Sequence, residues 1–142
     1  MVIVAAISGS EQSMEIAAQA DELARAFDDE LHLVHVVEET EYTRLVEKQS
    51  GARETDSGSV EENAATAAME GVDEIVDADY EIVGRVGNPS KTVLDYADEV
   101  DARYVVVGGR SRSPTGKALF GSVTQSILLK TERPVVTITE TK

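Results

Sequence analysis

Residues 105 to 124 read VVVGGRSRSPTGKALFGSVT, and they join an apolar β-branched run to the start of a helix through a loop of Gly, Ser and basic residues. The wider window from 102 to 131 contains no Asp or Glu, where an even spread of the 27 acids over 142 residues would place about six (30 × 27/142). Backbone N–H groups at a helix N-terminus carry partial positive charge and bind anions. The segment therefore predicts a site for a negatively charged ligand such as phosphate.

A plainer explanation is that this window is largely buried strand and buried helix, which contain few acids in any protein. That explanation accounts for residues 103 to 107 and 123 to 129. It does not account for the loop between them, which carries Arg110, Arg112 and Lys117 and no acid. We therefore favour the anion site.

Short β-branched runs alternate with helical periodicity along the chain. The runs predict five strands, at residues 2 to 7, 31 to 37, 80 to 86, 104 to 107 and 134 to 139. Near-continuous apolar strands separated by helices indicate an α/β fold, in which a five-stranded parallel sheet carries helices on both faces. Residues 1 to 142 are expected to form a single domain.

The helix boundaries follow from capping signals. These are Ser10 before the first helix, Ser59-x-x-Glu62, Asn88-Pro89 and Ser122-x-x-Gln125. Residues 38 to 58 are polar, and they are expected to form a loop with a short helical piece near residues 42 to 48.

The formal net charge is −14, and the chain contains no Cys. Proteins bind nucleic acids and anionic membranes through clustered Lys and Arg, and a strongly acidic chain is repelled by both. Neither is therefore expected as a partner. The lack of Cys excludes disulfides and thiol chemistry, and no stretch approaches the ~18 apolar residues of a membrane span. We expect a cytoplasmic protein, and the acidic, lysine-poor composition is typical of salt-loving archaea.

The sequence gives no sign of a metal site. His32 and His35 lie three residues apart on a predicted strand, so they point to opposite faces and cannot chelate one metal ion together. They are expected to be core or edge histidines. The many Asp and Glu residues are spread along helix surfaces and indicate solvated faces rather than a catalytic pair.

The loop between residues 108 and 121 is also similar in sequence to the phosphate loop of P-loop NTPases, because it contains Gly116-Lys117. A true phosphate loop needs Gly at position 111 and Ser or Thr at position 118 to hold Mg²⁺. This chain has Ser111 and Ala118, and its loop follows the fourth strand rather than the first. A P-loop NTPase is therefore rejected.

Another pattern fits the same residues. It consists of the spacing Gly108-x2-Ser111-x9-Gly121-Ser122, the opening Val-x-Val-Ala-x-x-x-Gly-Ser, the segment Gly87-Asn88-Pro89 and the segment Arg133-Pro134-Val135. Together these motifs span essentially the whole chain, which resembles the universal stress protein family. The resemblance implies an adenine nucleotide alpha hydrolase-like fold and a ligand that is ATP or another adenine nucleotide.

The resemblance also implies nucleotide contacts at the ends of strands one, two and four and at the start of the last helix. With the loop cations Arg110 and Lys117 added, the predicted site residues are Ala6, Ser8, Val36, Gly108, Gly109, Arg110, Ser111, Lys117, Gly121, Ser122, Val123 and Thr124. Two positions depart from the ATP-binding members. Ser8 stands where those members have Asp, and Ser111 stands where they have the second Gly of the motif.

The resemblance implies a stress-response sensor or regulatory protein that binds nucleotide. Two alternatives stay open, a slow ATP-hydrolysing enzyme and a non-binding dimeric scaffold with a degenerate site. The sequence shows no recognisable carboxylate set for Mg²⁺ and no general base, so turnover ranks below binding. In a sheet of order 3-2-1-4-5, residues 134 to 139 form an apolar edge, and the resemblance implies a homodimer through that strand.

Overall fold

The computed structural model describes residues 1–9, 12–50, 59–109 and 120–139, with the backbone alone for residues 49 and 50. Within these residues there are five strands, β1 (Val2–Ala6), β2 (Glu30–Val37), β3 (Tyr80–Val86), β4 (Ala102–Gly108) and β5 (Val135–Ile138). They pair in parallel in the order β3-β2-β1-β4-β5. The predicted fold class and strand order are confirmed, and the strand ends differ from the predicted ones by at most two residues.

The helices are α1 (Ser13–Phe27), α2 (Glu39–Ser50), α3 (Val60–Ala68), α4 (Pro89–Val100) and α5 (Ser122–Lys130), with a short 3₁₀ turn at Val72–Glu74. None of the helices in the described ranges is long and apolar enough to cross a membrane.

The central strand β1 separates two apolar layers. Ile3, Val4 and Ala5 are fully buried. Successive side chains of a strand point to opposite faces, so Ile3 and Ala5 pack in the layer under α1 and α3, whereas Val4 packs in the layer under α4 and α5. Two covered faces explain why this strand is apolar without alternation.

Two of the predicted helix caps are confirmed. The Asn88 side chain accepts a hydrogen bond from the Lys91 amide at 3.0 Å, and Pro89 is the first helical residue of α4. The Ser59 hydroxyl accepts from the Glu62 amide at 3.1 Å at the start of α3.

Two other predicted caps are wrong. Helix α1 begins at Ser13 with Gln12 in the N-cap position, so Ser10, which itself lies outside the described residues, is too early to be the cap. Helix α5 has Gly121 at its N-cap and Ser122 as its first helical residue. In both cases the sequence offered a hydroxyl side chain near the helix start, but the backbone enters the helix at a different residue.

The short helical piece predicted near residues 42 to 48 is confirmed, but the helix is longer than predicted and begins at residue 39, where a loop was expected. Residues 39 to 50 form the twelve-residue helix α2, and residues 51 to 58 lie outside the described residues. Acidic residues Glu39 and Glu41 lie in its first turn, where they interact favourably with the helix dipole, and Glu41 pairs with Arg44. The helix is polar on most sides, which is why its periodicity was weak in the sequence.

Charged groups at the amino ends of the strands are paired with one another. The Asp29 carboxylate, whose side chain is 2% exposed, accepts from Arg103 Nε at 2.7 Å and lies 3.3 Å from the Met1 ammonium nitrogen. The Arg103 guanidinium also stacks on Phe27, 4.3 Å from the ring centroid. The hydrogen bond from Arg103, followed by the terminal ammonium, holds the pKa of Asp29 below its ordinary value of 3.8 despite its burial.

Candidate functional site

A cavity of about 980 Å³ opens at the carboxyl ends of the strands. The chain leaves β1 toward α1 on one face of the sheet and leaves β4 toward α5 on the other face, so the two connections diverge and leave a crevice between them. Ligands of open α/β sheets bind at such a switch point. The volume is in the range of a small-molecule site.

The structure places nine of the twelve predicted site residues on the wall of this cavity. They are Ala6, Ser8, Val36, Gly108, Gly109, Gly121, Ser122, Val123 and Thr124. The other three, Arg110, Ser111 and Lys117, lie outside the described residues, as does Arg112.

Side-chain hydrogen bonds fix the turn that leaves β4. Gln12 Nε2 donates to the Gly109 carbonyl at 2.9 Å and to the Ile138 carbonyl at 3.0 Å. The Gly109 amide donates to the Ile138 carbonyl at 2.7 Å. Gln12 therefore holds the start of α1, the turn and the end of β5 together at one wall of the cavity.

Gly108 packs closely against the side-chain ends of Gln12 and Ile16, which a larger residue would have to displace. A Cβ atom at this position would lie 2.5 Å from Gln12 Oε1 and 2.6 Å from Ile16 Cδ1, closer than real Cβ contacts come. Its carbonyl accepts a hydrogen bond from Thr124 Oγ1 at 2.7 Å. The backbone of the turn can therefore approach both α1 and the first turn of α5.

The N-terminus of α5 supplies hydrogen-bond donors to the cavity. The first intrahelical bond runs from the Gln125 amide to the Gly121 carbonyl at 3.0 Å, so the amides of residues 122 to 124 have no acceptor within the helix. The first turn of α5 contains no acidic residue. Because the positive end of the helix dipole points the same way, this wall favours an anion.

The structure narrows what Thr124 can do. The residue is 7% exposed, and its hydroxyl donates its hydrogen to the Gly108 carbonyl. The backbone amide of Thr124, rather than its hydroxyl hydrogen, is the group available to a ligand.

The opposite wall comes from the end of β2 and from α2, and most of its residues were missed by the sequence analysis. It includes His35, Glu38, Glu41 and Leu45. His35 Nδ1 donates to the Ile7 carbonyl at 2.8 Å and so ties the end of β2 to the end of β1. In the sequence the two carboxylates were indistinguishable from the other acids of residues 38 to 58, because Glu41 was not recognised as part of the helix and Glu38 directly precedes it.

The floor of the cavity is apolar. Val34, Val93, Val107 and Ile127 line it, and all four are buried. The cavity thus combines an apolar floor, an amide-lined wall at α5 and a wall with two carboxylates at β2 and α2. This arrangement suits a ligand with a flat apolar part, an anionic group and hydrogen-bond donors.

The parallel sheet of this order and the anion-suited crevice at its switch point define a small α/β protein of the adenine nucleotide alpha hydrolase-like fold. The sequence profile of the universal stress protein family matches residues 1–139. The chain belongs to this family, and the resemblance seen in its motifs is confirmed.

Two relatives show the extent of the sequence similarity. A universal stress protein of Mycolicibacterium smegmatis is 40% identical over 60 residues, which cover 42% of this chain and 46% of that protein. The stress response protein NhaX of Bacillus subtilis is 30% identical over 78 residues, which cover 55% of this chain and 46% of that protein. In both, the match spans about half the length of the relative.

Solved structures match nearly the full chain. A universal stress protein of Archaeoglobus fulgidus is 29% identical, with 97% of this chain and 98% of that chain covered and a TM-score of 0.63. A universal stress protein in complex with cAMP is 20% identical, with 98% of this chain and 96% of that chain covered and a TM-score of 0.63. A universal stress protein of Archaeoglobus fulgidus in complex with dAMP is 24% identical, with 97% of each chain covered and a TM-score of 0.60. At these identities the last two structures show a common fold.

Proposed function

We propose that this chain binds an adenine nucleotide, with ATP the first candidate, in the crevice at the carboxyl edge of the sheet, and that it acts as a cytoplasmic stress-response sensor or regulatory protein. The observation that carries the proposal is the pairing of the glycine turn after β4 with the amides at the start of α5, on one wall of the cavity. Such a wall holds phosphate through backbone donors and needs no dedicated side chain.

The charge distribution of the cavity orients the ligand. Phosphates lie against Gly109 and residues 122 to 124, and the base lies on the apolar floor. The ribose then faces Glu38 and Glu41, whose carboxylates accept hydrogen bonds from its hydroxyls. These two residues take over the acceptor role that ATP-binding relatives give to the Asp at the position of Ser8.

The solved structures lend the proposal limited support. The complexes with cAMP and dAMP indicate that this fold can hold an adenine nucleotide in other proteins. For the present chain the proposal rests on its own cavity.

Native mass spectrometry of the purified protein, followed by calorimetric titration with ATP, ADP and AMP with and without Mg²⁺, tests the proposal. We expect one adenine nucleotide per chain. Release of ADP or AMP with phosphate would support the slow hydrolase instead. A protein that carries no nucleotide and gives no binding heat with any of the three would support the scaffold.

We also propose that the chain forms a homodimer through β5. Among the described residues β5 pairs with β4 alone, and all four of its residues are only partly buried although three of them are apolar. An apolar edge strand invites pairing with a second copy about a two-fold axis. Leu129, on the helix that leads into β5, is 85% exposed and adds apolar surface.

The test of the dimer follows from the backbone of β5. The carbonyls of Pro134 and Ile138 bond to β4, so in a parallel ladder residues 135 and 137 direct their N–H and C=O groups outward. Thr137→Pro removes one outward donor and leaves the bonds to β4 intact. Lysine substitutions at Val136 and Ile138 would test the dimer less specifically. Both side chains pack against the apolar layer under α1, so lysines there would also disturb the fold of the single chain.

Light scattering in molar KCl is the measurement. We expect a dimer for the wild type and for the control Thr137→Val, which keeps the donor, and a monomer for Thr137→Pro. A monomeric wild type at tens of micromolar chain would overturn this interface. The high salt screens the charge of −14, and we propose that the protein is adapted to such conditions.

A further inference from the structure

A second cluster of polar side chains lies outside the nucleotide cavity, on the face of the sheet that α4 covers. Glu30 and His32 are two residues apart on β2, so their side chains share a face, and the strand register places Glu81 of β3 beside His32. His32 Nε2 lies 2.9 Å from Glu30 Oε1 and 3.8 Å from Glu81 Oε2, and the three atoms lie within 4.8 Å of one another.

His32 is held in a fixed orientation. The residue is 7% exposed, and its Nδ1 lies 2.6 Å from the hydroxyl oxygen of Tyr96, which is itself 6% exposed and carries Arg85 over its ring. When Nδ1–H donates to Tyr96, the Nε2 lone pair points at the two carboxylates. Metal-binding histidines are typically oriented by such a hydrogen bond from the other ring nitrogen.

We propose that Glu30, His32 and Glu81 bind a divalent transition-metal cation of the zinc class. With metal–ligand bonds of about 2.0–2.2 Å, the ligand atoms of a tetrahedral zinc site lie roughly 3.4 Å apart, and the observed 2.9 and 3.8 Å lie on either side of that spacing. The two glutamates are more than half exposed, so they can adjust their positions. The fourth position faces solvent, which gives the cation an entry path.

The ligand set decides the kind of cation. The imidazole favours zinc-like ions over Mg²⁺ and Ca²⁺, which prefer oxygen ligands throughout. Two carboxylates balance the charge of the ion, and the cation replaces the proton that Nε2 otherwise shares with Glu30. None of the cluster's three residues lines the nucleotide cavity. The nearest cavity residue on the same strand is Val34, two positions after His32 and roughly 7 Å away, so the cluster is a neighbouring but separate site.

This cluster was not recognised in the sequence because the two histidines were considered only as a pair with each other. His32 and His35 do not share a site, as predicted. Of the two carboxylates beside His32, Glu81 is on the neighbouring strand, 49 positions later in the sequence, and the sheet order is needed to bring it to the pair of Glu30 and His32.

Calorimetric titration with ZnCl₂ in molar KCl tests the proposal, since that salt screens general attraction of cations to the acidic surface. We expect one saturable site per chain in the wild type. The double variant Glu30→Gln/Glu81→Gln should bind zinc about 100-fold more weakly. Loss of a residue that only hydrogen-bonds a metal ligand already lowers metal affinity by about 10- to 100-fold, so loss of two ligands should reach at least the upper end of that range. The control Glu70→Gln/Glu74→Gln, which removes two exposed acids near α3, should bind like the wild type.

Side-chain nitrogen NMR of the wild type gives a second readout that does not depend on any variant. Zinc should shift Nε2 of His32 and leave the ring nitrogens of His35 unchanged. Absence of a saturable site, equal loss in the two double variants, or a shift of His35 alone would each overturn the proposal.

Discussion

The two edges of the parallel sheet are built in opposite ways. At the amino edge, Asp29, Arg103 and the chain terminus form a closed set of ion pairs beneath Phe27, and Arg133 likewise bonds Asp98, Asp101 and the Ala102 carbonyl. At the carboxyl edge, the backbone turns at Gly108 and Gly121 face an open cavity, and the first turn of α5 presents its amides to it.

The contrast indicates which edge of the sheet stabilises the fold and which edge binds a ligand. Charges that satisfy one another leave little for a ligand, so the amino edge contributes to folding. Helix-end amides without an acceptor within the helix are costly to bury unless a ligand or water satisfies them. The account therefore predicts that substitutions at one edge affect binding and those at the other affect stability.

The largest effect is expected from Gly121→Val at the carboxyl edge. A β-branched side chain at this position would occupy the space of the bound phosphate, and we expect ATP affinity to fall about 100-fold, or roughly 3 kcal/mol. The backbone at Gly121 has φ −71° and ψ 169°, which Val adopts readily, so the melting temperature should change little. Calorimetry and thermal melts measure both, and Gly121→Ala should show a smaller loss. Wild-type affinity in the Val variant would mean that the ligand lies elsewhere.

Asp29→Asn at the amino edge should have the reverse effect. Asn keeps one acceptor oxygen but leaves Arg103 and the Met1 ammonium without the negative charge that they share, and we expect the melting temperature to fall by about 5 °C with nucleotide affinity unchanged. Asp28→Asn is the matched control. Asp28 is exposed and has φ 59°, a conformation that Asn tolerates, so this variant should melt like the wild type. Equal melting of the two variants would refute the stabilising role of the network.

The pH dependence of the same pair gives a sharper check. Because the pKa of Asp29 is lowered on folding, its contribution to stability is present above its ordinary pKa of 3.8 and is lost as the pH falls below that value toward the lowered pKa. The stability difference between wild type and Asp29→Asn should be constant from pH 7 to about 5 and shrink below about pH 4. A difference that grows on acidification would contradict the assignment.

The smallest effect is expected at Glu38 and Glu41, on the cavity wall formed by β2 and α2. Here the direction of the change in ATP affinity distinguishes two roles of the carboxylates. If Glu38 and Glu41 accept from the ribose, Glu38→Gln/Glu41→Gln should weaken ATP binding about tenfold, or roughly 1.4 kcal/mol, because Gln keeps an oxygen acceptor and loses only the charge. If they merely repel phosphate, the same variant should bind ATP more tightly. Glu39→Gln, at an exposed position that is not on the cavity wall, is the control.

Much of this architecture could be predicted from the sequence because the strands are short apolar runs whose period is visible without an alignment. The cap at Asn88-Pro89 was also visible, since side chain and proline act locally. Helix α2 was predicted only near residues 42 to 48, because it is polar on most sides and shows little apolar periodicity. The start of α5 was misplaced by one residue because the hydroxyl of Ser122 mimics a cap.

The site was predictable where backbone chemistry defines it and unpredictable where side chains meet from distant elements. Gly108, Gly109 and Gly121 stood out as glycines beside a strand end and a helix start. Gln12 did not, because its role depends on a carbonyl at position 138 that only the folded sheet brings near. Contacts of that kind become visible only after the strand order is known.

The measurement that tests the central claim most directly is a nitrogen–proton NMR titration of the labelled protein with ATP. The account predicts that the amides of Gly108, Gly109 and residues 122 to 124 shift on binding, and that those of Asp29 and Arg103 stay in place. Shifts concentrated at the amino edge, or ATP binding that leaves the amides at the start of α5 unmoved, would contradict it.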